Sequence, residues 1–438
     1  MENADFESSF VKASMSRRGL VKCLSFSLGI ASIAPAVFLK KANATQAIGK
    51  PSMARFVYVG TYSAPNFAPG GKVPSTAEGI YVYKMEQDGS LSLMQVMPAE
   101  NPSFLEIDQS KSCLYAVNEL GQDSAGKPMG RVSSYKIDQK SGELTFINTE
   151  PTNGSWPCHL ALHPSGKFLF AANYGSGSFP VYPILEDGSI GKVTDIFQSA
   201  GNGLGADESR QGGPHAHMVL TNPGGEHVYG VDLGADKVLA LDFDESTGQL
   251  SPNSVPYLTT ASGSGPRHMV FHPNDQLAYV LNELSSSIDV FEFNSERGSF
   301  TWVQTESTLP VNSQFGRPDF DPENPGKVPE GSNTTAEIRI HPSGKWLYAT
   351  NRGMNAIVVF KVNLMTGGIS AIEWKDTLGE IPRGMNIDPE GDYLYVGNQN
   401  SDLISVFGID QSTGGLTESL HEINSPVPVD FAFGPIIT

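Results

Sequence analysis

The sequence predicts an all-β protein folded as a seven-bladed β-propeller, and three observations carry this prediction. A segment of the type HPSGKFLFAAN, at residues 163–173, recurs along the chain in seven copies of differing similarity. A short turn of the type TGQL, ending at Leu250, also recurs seven times, at intervals of roughly 50 residues. Forty-six glycines and thirty prolines supply turns between runs of β-branched and aromatic residues.

Each repeat contains four strand signals. In one full copy, strand A covers residues 214–221, a tight turn follows at 222–225, and strand B covers 226–232. Strand C covers 237–243, and the turn at 246–250 opens strand D. Four short antiparallel strands per repeat are typical of a propeller blade.

The two ends of the repeat array complement each other. The strand at residues 57–61 has no strand A before it, and the strand A at 428–435 has no strand B after it. We therefore expect the C-terminal strand to pair with the N-terminal blade and close the ring, which removes exposed sheet edges. Residues 45–438 then form a single propeller domain.

The first 44 residues are predicted to be a signal peptide. Arg17 and Arg18 form a twin arginine, an apolar run follows at 23–39, and Ala42-Asn43-Ala44 fits a cleavage site. This pattern predicts the twin-arginine export machinery as a partner, a periplasmic location and no stable membrane insertion after cleavage. An uncleaved membrane anchor is the alternative, although the apolar run is short for a span.

Composition excludes several classes of ligand. A net charge of −18 disfavours nucleic acid and anionic membrane surfaces, so an anionic ligand would need a local concentration of arginine. No metal-binding or phosphate-loop motif is present, and we predict neither a metal nor a cofactor. Cys113 and Cys158 are expected to be buried apolar residues, with a disulfide left open.

The long loops all belong to one face of the predicted propeller. Because successive strands alternate in direction, the B–C and D–A loops share a face, and they include residues 63–79, 120–131, 199–213 and 310–335. Long loops on one rim of a rigid scaffold mark a binding face. The 310–335 segment is a candidate lid.

The starts of strands A and the ends of strands B converge on the mouth of the central channel at this face. Charged and titratable residues occupy these positions on neighbouring blades. The candidate catalytic residues are His217, Arg267, Glu283, Arg352 and His215, which can share the face of His217 two residues away. The candidate substrate-binding residues are Arg383, Glu119 and Arg339, the last lying mid-strand and directed down the channel.

These residue types suit an anionic substrate that contains a carbonyl group. Arginine can clamp a carboxylate or phosphate and can stabilise a developing oxyanion. A histidine or glutamate can accept a proton from water. The alternative is a structural network of paired charges that fills the channel.

The remaining histidines have expected structural roles. His163, His272 and His341 open the A–B turns on the opposite face, where bonding to the turn backbone is expected. His159 and His268 lie one residue beyond the mouth positions, and packing roles are expected for them.

Several motifs together resemble the seven-bladed propeller lactonases, which include the propeller-type 6-phosphogluconolactonase and the fungal carboxymuconate cyclase. The resemblance runs from about Phe56 to the end. Its motifs are VGTY at 59–62, NPSFL at 101–105, AVNE at 116–119, PHAH at 214–217, GPRHMVFHPN at 265–274, NELSSS at 282–287 and AEIRIHPSGKWLYATNRG at 336–353. It implies an active site formed by His215 or His217 with Arg267, Glu283 and Arg352. The chain departs from the family pattern after NRG, where it has Met354-Asn355.

The resemblance implies a lactone hydrolase, most simply one of the 6-phosphogluconolactonase type. A periplasmic location favours a different lactone, because phosphogluconate metabolism is cytosolic. A muconate-lactonising enzyme and a non-catalytic periplasmic propeller that binds a ligand or protein are the alternatives.

Overall fold

The computed structural model describes residues 53–64, 75–108, 110, 112–203, 205, 208–317 and 328–437. The predicted signal peptide lies outside these residues, as do parts of the predicted loops 63–79, 199–213 and 310–335. All described residues belong to one compact unit. None of the helices among them has the length and apolar character needed to cross a bilayer.

The described residues are almost entirely β-structure, with one short α-helix, α1 (Glu208–Gln211), and one 3₁₀-helix (Gln399–Ser401). The strands in chain order are β1 (Arg55–Thr61), β2 (Gly79–Met85), β3 (Leu91–Pro98), β4 (Leu105–Ile107), β5 (Cys113–Asn118), β6 (Arg131–Ile137), β7 (Leu144–Pro151), β8 (Pro157–Leu162), β9 (Phe168–Asn173), β10 (Ser178–Pro183), β11 (Asp195–Gln198), β12 (Ala216–Thr221), β13 (His227–Asp232), β14 (Lys237–Asp244), β15 (Gln249–Thr259), β16 (Pro266–Phe271), β17 (Leu277–Asn282), β18 (Ser287–Asn294), β19 (Ser299–Ser307), β20 (Thr335–Ile340), β21 (Trp346–Asn351), β22 (Ala356–Val362), β23 (Ile369–Asp376), β24 (Pro382–Ile387), β25 (Tyr393–Asn398), β26 (Leu403–Ile409), β27 (Leu416–Asn424) and β28 (Pro428–Ile436).

These strands form seven antiparallel four-stranded sheets, which confirms the seven-bladed propeller. The first strand of each sheet contacts the first strand of the next, and β28 contacts both β24 and β4, so the sheets close into a ring. β28 is the innermost strand of blade 1, where it pairs antiparallel with β1 over Arg55↔Ile436 to Thr61↔Pro428. The predicted closure by the C-terminal strand is therefore confirmed. Blades 2 to 7 begin at β4, β8, β12, β16, β20 and β24.

The apolar core lies between the blades rather than within one central mass. A separate buried cluster fills each interface between neighbouring blades, and the cluster of blades 5 and 6, for example, joins Tyr279 and Val290 to Leu347 and Phe360. Strands of the inner three positions are buried on both faces, whereas outer strands such as β27 alternate between buried and exposed residues. Such interfaces drive the ring to close, because each blade buries an apolar face only against its neighbour.

A repeated hydrogen bond joins five of the seven blades to the next. A buried tyrosine in the second strand donates to the glycine carbonyl of the C–D turn in the following blade, as Tyr348 does to Gly414 at 2.8 Å. Tyr58, Tyr115, Tyr279 and Tyr395 make the same bond to Gly142, Gly188, Gly367 and Gly89. The two recurring sequence signals, a strand-B tyrosine and a Gly-containing turn, thus form one inter-blade contact.

Candidate active site

β-Bulges at the channel mouth aim the candidate side chains. In β8, β12, β16 and β24 the pairing with the second strand skips one residue, and the skipped residues are Cys158, His217, Arg267 and Arg383. A bulge breaks the alternation of a strand and re-aims side chains, commonly beside active sites. Consecutive residues such as Arg267 and His268 therefore both contact groups in the channel.

The backbone is strained just before three innermost strands, β8, β24 and β28. Trp156, Ile381 and Val427 each precede the proline that opens an innermost strand, and their φ angles are 53°, 56° and 44°. Left-handed conformations of this kind cost about 1–3 kcal/mol at non-glycine residues and concentrate at functional sites. The strain is thus located at the mouth that the bulges line.

Glu283 lies at the centre of the mouth and pairs with three arginines. Its Oε1 lies 2.6 Å from Arg210 Nη2 and 3.0 Å from Arg352 Nη2, and its Oε2 lies 3.1 Å from Arg267 Nε. The Glu283 side chain is only 3% exposed. Burial by itself would raise the pKa of Glu283, but the guanidinium groups of Arg210, Arg352 and Arg267 outweigh it and hold the pKa well below its usual range. Glu283 is therefore a fixed anion at working pH.

The arginines around Glu283 retain donors for a ligand. Arg267 Nη1 donates to the carbonyl of Ala336, and Arg352 Nη2 donates to the carbonyl of Thr335 at 2.9 Å. Among the described residues, Arg267 Nη2 and Arg352 Nη1 have no hydrogen-bond partner. Burial lowers the pKa of Arg267 to about 10, and Arg383 and Arg352 add to this shift. A bound anion would relieve that repulsion.

A second acid–base pair lies on the other side of the mouth. Glu119 accepts hydrogen bonds from Ser103 Oγ at 2.6 Å and Tyr62 Oη at 2.9 Å. Arg383 Nη2 lies 3.7 Å from Glu119 Oε2, and its guanidinium stands 5.1 Å from the centroid of the Tyr62 ring. Burial raises the pKa of Glu119 despite the nearby Arg383. The two predicted residues Arg383 and Glu119 are thus brought together.

His217 is enclosed between the two pairs. Its ring packs edge-on against His268 at 5.2 Å and against Tyr174 at 5.6 Å. Its Nδ1 lies 3.8 Å from Cys158 Sγ, which is its one side-chain hydrogen-bond contact among the described residues. Burial, reinforced by Arg267 and His268, lowers the pKa of His217 well below its usual range, so the imidazole is neutral.

His215 and Arg210 complete the mouth through Tyr174. The His215 ring stacks on Tyr174 at 4.5 Å, and its Nδ1 contacts the Tyr174 carbonyl at 3.0 Å. Arg210 Nε donates to Tyr174 Oη at 2.8 Å. His217 and His215 thus both contact Tyr174, and Arg210 joins Tyr174 to Glu283.

Comparisons with known proteins agree with this architecture. The family model described as "Lactonase, 7-bladed beta-propeller" matches residues 56–433. The chain belongs to this lactonase family.

Individual relatives are similar over most of the chain. The chain is 32% identical to the 6-phosphogluconolactonase of Bacillus subtilis over 74% of this chain and 83% of the relative. The structure of the periplasmic gluconolactonase of Pseudomonas aeruginosa matches with a TM-score of 0.76 and 29% identity, over 88% of this chain and 100% of the other. A putative 6-phosphogluconolactonase of Bacteroides fragilis matches with a TM-score of 0.75 and 28% identity, over 88% of this chain and 99% of the other. Lactone hydrolysis is the activity that this membership supports.

Arg210 is the site residue of the lactonase that sequence reasoning missed. It lies on α1 in the long loop between β11 and β12, where Gln211 donates to Asp236 Oδ1 at 2.7 Å. Asp236 also accepts from the backbone of Gly263 and Gly265, just before β16. The loop was predicted to face the mouth, but nothing in its composition distinguished Arg210 from other loop cations.

Arg339 does not join the cluster at the mouth. Its Nη1 lies 2.9 Å from Glu337 Oε1 and its Nε donates to Asn386 Oδ1 at 3.2 Å, deeper in the channel. There it lines a cavity of about 300 Å³ with Phe104, Asn386 and Phe431. The expectation that Arg339 points down the channel agrees with this position, whereas the structure shows no contact between Arg339 and the cluster at the mouth.

His159 and His268 face the channel as well, against the expectation of simple packing roles. Their rings contact each other at 5.3 Å, and His159 packs on Phe104 at 3.9 Å. The bulges explain the difference, because they turn the residue after Cys158 and the residue after Arg267 toward the channel.

The described residues contain no group of histidine, cysteine, aspartate and glutamate side chains placed to hold a metal ion. Cys113 and Cys158 are buried and free, which answers the open question of a disulfide. Residues 318–327 of the candidate lid lie outside the described residues.

Proposed function

We propose that this lactonase hydrolyses an anionic sugar lactone of the 6-phosphogluconolactone type to the open hydroxy acid. The observation that carries the proposal is the cluster at the mouth, where four arginines face two glutamates in a chain whose net charge is −18. A local excess of guanidinium in a strongly acidic protein favours an anionic ligand. Relatives named 6-phosphogluconolactonase support the same substrate class.

The arginines have two tasks in this proposal. The unpaired donors Arg267 Nη2 and Arg352 Nη1 bind the carbonyl oxygen and stabilise the oxyanion that forms when water adds. Arg383, on the other side of the mouth, binds the phosphate or another anionic group of the substrate. Glu283 positions its arginines and does not act as the base, because three cations stabilise its ionised form.

His217 is the general base in this proposal. It is neutral and lies among the cationic groups, so it can accept the proton of the attacking water. The ring C–O bond then breaks, and the leaving alkoxide takes up the proton from His217. The net reaction consumes one water and yields a hydroxy acid, which ionises and releases one proton. An anionic substrate offsets the positive charges that disfavour protonated His217.

The test is proton release by the purified mature chain with 6-phosphogluconolactone, unphosphorylated gluconolactone and a muconolactone. Arg267→Ala should lower kcat/KM by about 10²–10³-fold, and His217→Gln by about 10²–10⁴-fold. Arg297→Ala, an exposed arginine in the turn between β18 and β19, is the control and should leave turnover unchanged. If the parent hydrolyses none of these lactones, or if both site variants keep the parental rate, the proposal is excluded.

Gluconolactone is the second candidate substrate, because the N-terminal pattern suggests export. We propose that residues 1–44 direct the chain to the periplasm, and a structural relative is named a periplasmic gluconolactonase. Replacing Arg17 and Arg18 by lysine should keep the protein in the cytosol, measured by cell fractionation. Unchanged fractionation would exclude the twin-arginine route.

A further inference from the structure

A chain of hydrogen bonds runs downward from Arg267, away from the mouth. Arg267 Nη1 lies 3.2 Å from His268 Nε2, and His268 Nδ1 lies 3.1 Å from Glu337 Oε1. Arginine can only donate, so His268 Nε2 is the acceptor and the ring proton is on Nδ1. His268 therefore bridges the Glu337 carboxylate and the Arg267 guanidinium.

The lower end of this chain is held by two further blades. Arg339 Nη1 donates to Glu337 Oε1 at 2.9 Å, and Arg339 Nε donates to Asn386 Oδ1 at 3.2 Å. Asn386 Nδ2 donates to the Phe431 carbonyl of β28 at 2.8 Å. The contacts thus link the innermost strands of blades 5, 6, 7 and 1 to one guanidinium at the mouth.

Stability alone is a weak reason for such a chain. Buried ionic networks often contribute no more to folding than apolar groups of similar volume. The His268 and Glu337 side chains are each only 3% exposed, and His268 uses both ring nitrogens. Polar groups that fix the orientation of another side chain are what a preorganised oxyanion site needs.

We propose that His268 and Glu337 are positioning residues that hold the Arg267 guanidinium in the orientation needed at the substrate carbonyl. This inference rests on the proposed function for its chemistry, but its geometry stands alone. His268 touches no reacting atom, and it acts through Arg267. Loss of the chain should therefore lower kcat and leave KM nearly unchanged.

The first test compares two substitutions at one position. His268→Leu removes both hydrogen bonds, and His268→Gln retains one acceptor and one donor. We expect kcat of H268L to fall by about 10²-fold, the effect of a small misplacement, and H268Q to recover about tenfold of that loss. Glu337→Gln, which leaves the His268 ring beside His217, should lower kcat by about tenfold.

His272 provides the matched control. It is equally buried, its Nε2 contacts the Gly344 carbonyl at 2.9 Å and its Nδ1 accepts from Asn274 N at 3.0 Å, at the opposite face. His272→Leu should lower the melting temperature without changing kcat. Equal loss of kcat in H268L and H272L would show a merely structural effect and overturn the inference.

A second readout needs no substrate. The ¹H–¹⁵N signal of Arg267 Nε, assigned by its loss in Arg267→Lys, should be sharp in the parent and in H268Q but broadened in H268L. A signal that stays sharp in H268L overturns the inference whether or not the parent hydrolyses a lactone. Absence of turnover by the parent overturns the proposed function alone.

Discussion

Histidines in two regions of the propeller experience opposite environments. At the turn face, His163, His272 and His341 open A–B turns, and each Nε2 contacts a glycine carbonyl in the next blade at 2.9–3.0 Å. In the channel, three others lie among charges contributed by several blades, namely His159, His217 and His268. The side chain is histidine in both regions, so differences in contacts and pKa between them come from the surroundings.

Buried histidines have different surroundings at the turn face and in the channel. The turn histidines satisfy both ring nitrogens with nearby backbone or serine groups, as His341 does with Gly391 and Ser343. In the channel His268 also uses both ring nitrogens, and burial lowers its pKa to about 4 although Glu337 opposes the shift. The turn histidines thus join neighbouring blades, whereas the channel histidines lie where burial and nearby charged groups disfavour their protonation.

The largest expected effect in the channel follows from removing the central anion. Glu283→Gln leaves Arg210, Arg267 and Arg352 without their shared counter-charge, so the free energy of unfolding should fall by about 3–5 kcal/mol. Lactone turnover should fall as well, because the arginines lose their alignment. Chemical denaturation and the proton-release assay measure the two effects.

The turn face supplies the control for this prediction. Lys167 and Glu245 pair at 3.1 Å, with side chains 71% and 40% exposed. Glu245→Gln should change neither stability nor activity measurably, since exposed pairs contribute little. A loss in E283Q as small as that in E245Q would contradict the electrostatic account of the mouth.

Replacing Asp430, in the channel strand β28, is expected to have a smaller effect on the free energy of unfolding and one of opposite sign, a gain in stability. Its Oδ2 accepts from Leu105 N at 2.7 Å, while Oδ1 has no hydrogen-bond partner among the described residues. Burial raises the pKa of Asp430 to about 8, and Glu337 adds to the shift. Between about pH 4 and 8 the unfolded chain ionises while the folded chain keeps its proton, so this group costs stability as the pH rises.

Asp430→Asn should therefore stabilise the protein at pH 8 by about 2–3 kcal/mol, less than the full ~1.4 kcal/mol per pKa unit because the site relaxes. The gain should vanish near pH 4. Thermal melts across this range measure it. Asp410→Asn is the control, because hydrogen bonds from Ser412 and Thr413 in a turn on the opposite face lower the pKa of Asp410, and it should show no such gain. A gain in D430N that is independent of pH would refute the role of ionisation.

The sequence predicted more of the turn face than of the channel, although the bonds from the turn histidines to the next blade were not predicted. Repeated HPSG and Gly-containing turns are local signals, and they place His163 and His341 from the sequence alone. The bulges are not local. Proline precedes the skipped residue at Cys158, Arg267 and Arg383, but the register slip also depends on how β9, β17 and β25 pair.

Two features of the site show the same limit. Strict alternation in strand A could not predict that Arg267 and His268 face the channel together, because a bulge alters the pattern that alternation assumes. Arg210 reaches Glu283 from a loop whose fold depends on Gln211 and Asp236, contacts that no spacing rule reveals. Charged positions at the mouth were predictable, whereas their partners required the assembled ring.

The smallest expected quantity is a difference between two substitutions, and it isolates a single turn-face contact. Gly166 and Gly344 occupy the same place in identical HPSGK turns, with φ of 71° and 72°. A Cβ at Gly344 would lie 2.5 Å from His272 Nε2, whereas a Cβ at Gly166 would meet nothing within 4 Å. Gly166→Ala should cost only the left-handed strain of about 1 kcal/mol, and Gly344→Ala about 2–3 kcal/mol because it also displaces His272.

A double-mutant cycle tests whether His272 causes the excess cost of Gly344→Ala over Gly166→Ala. In a His272→Ala background the clash and the hydrogen bond are both absent, so Gly344→Ala should cost no more than Gly166→Ala. Denaturation midpoints of the four variants supply the coupling energy, and turnover should stay at the parental value throughout. If G344A still costs more than G166A in the absence of the imidazole, the strain lies in the turn itself. The contact between His272 and Gly344 would then not account for the difference in stability.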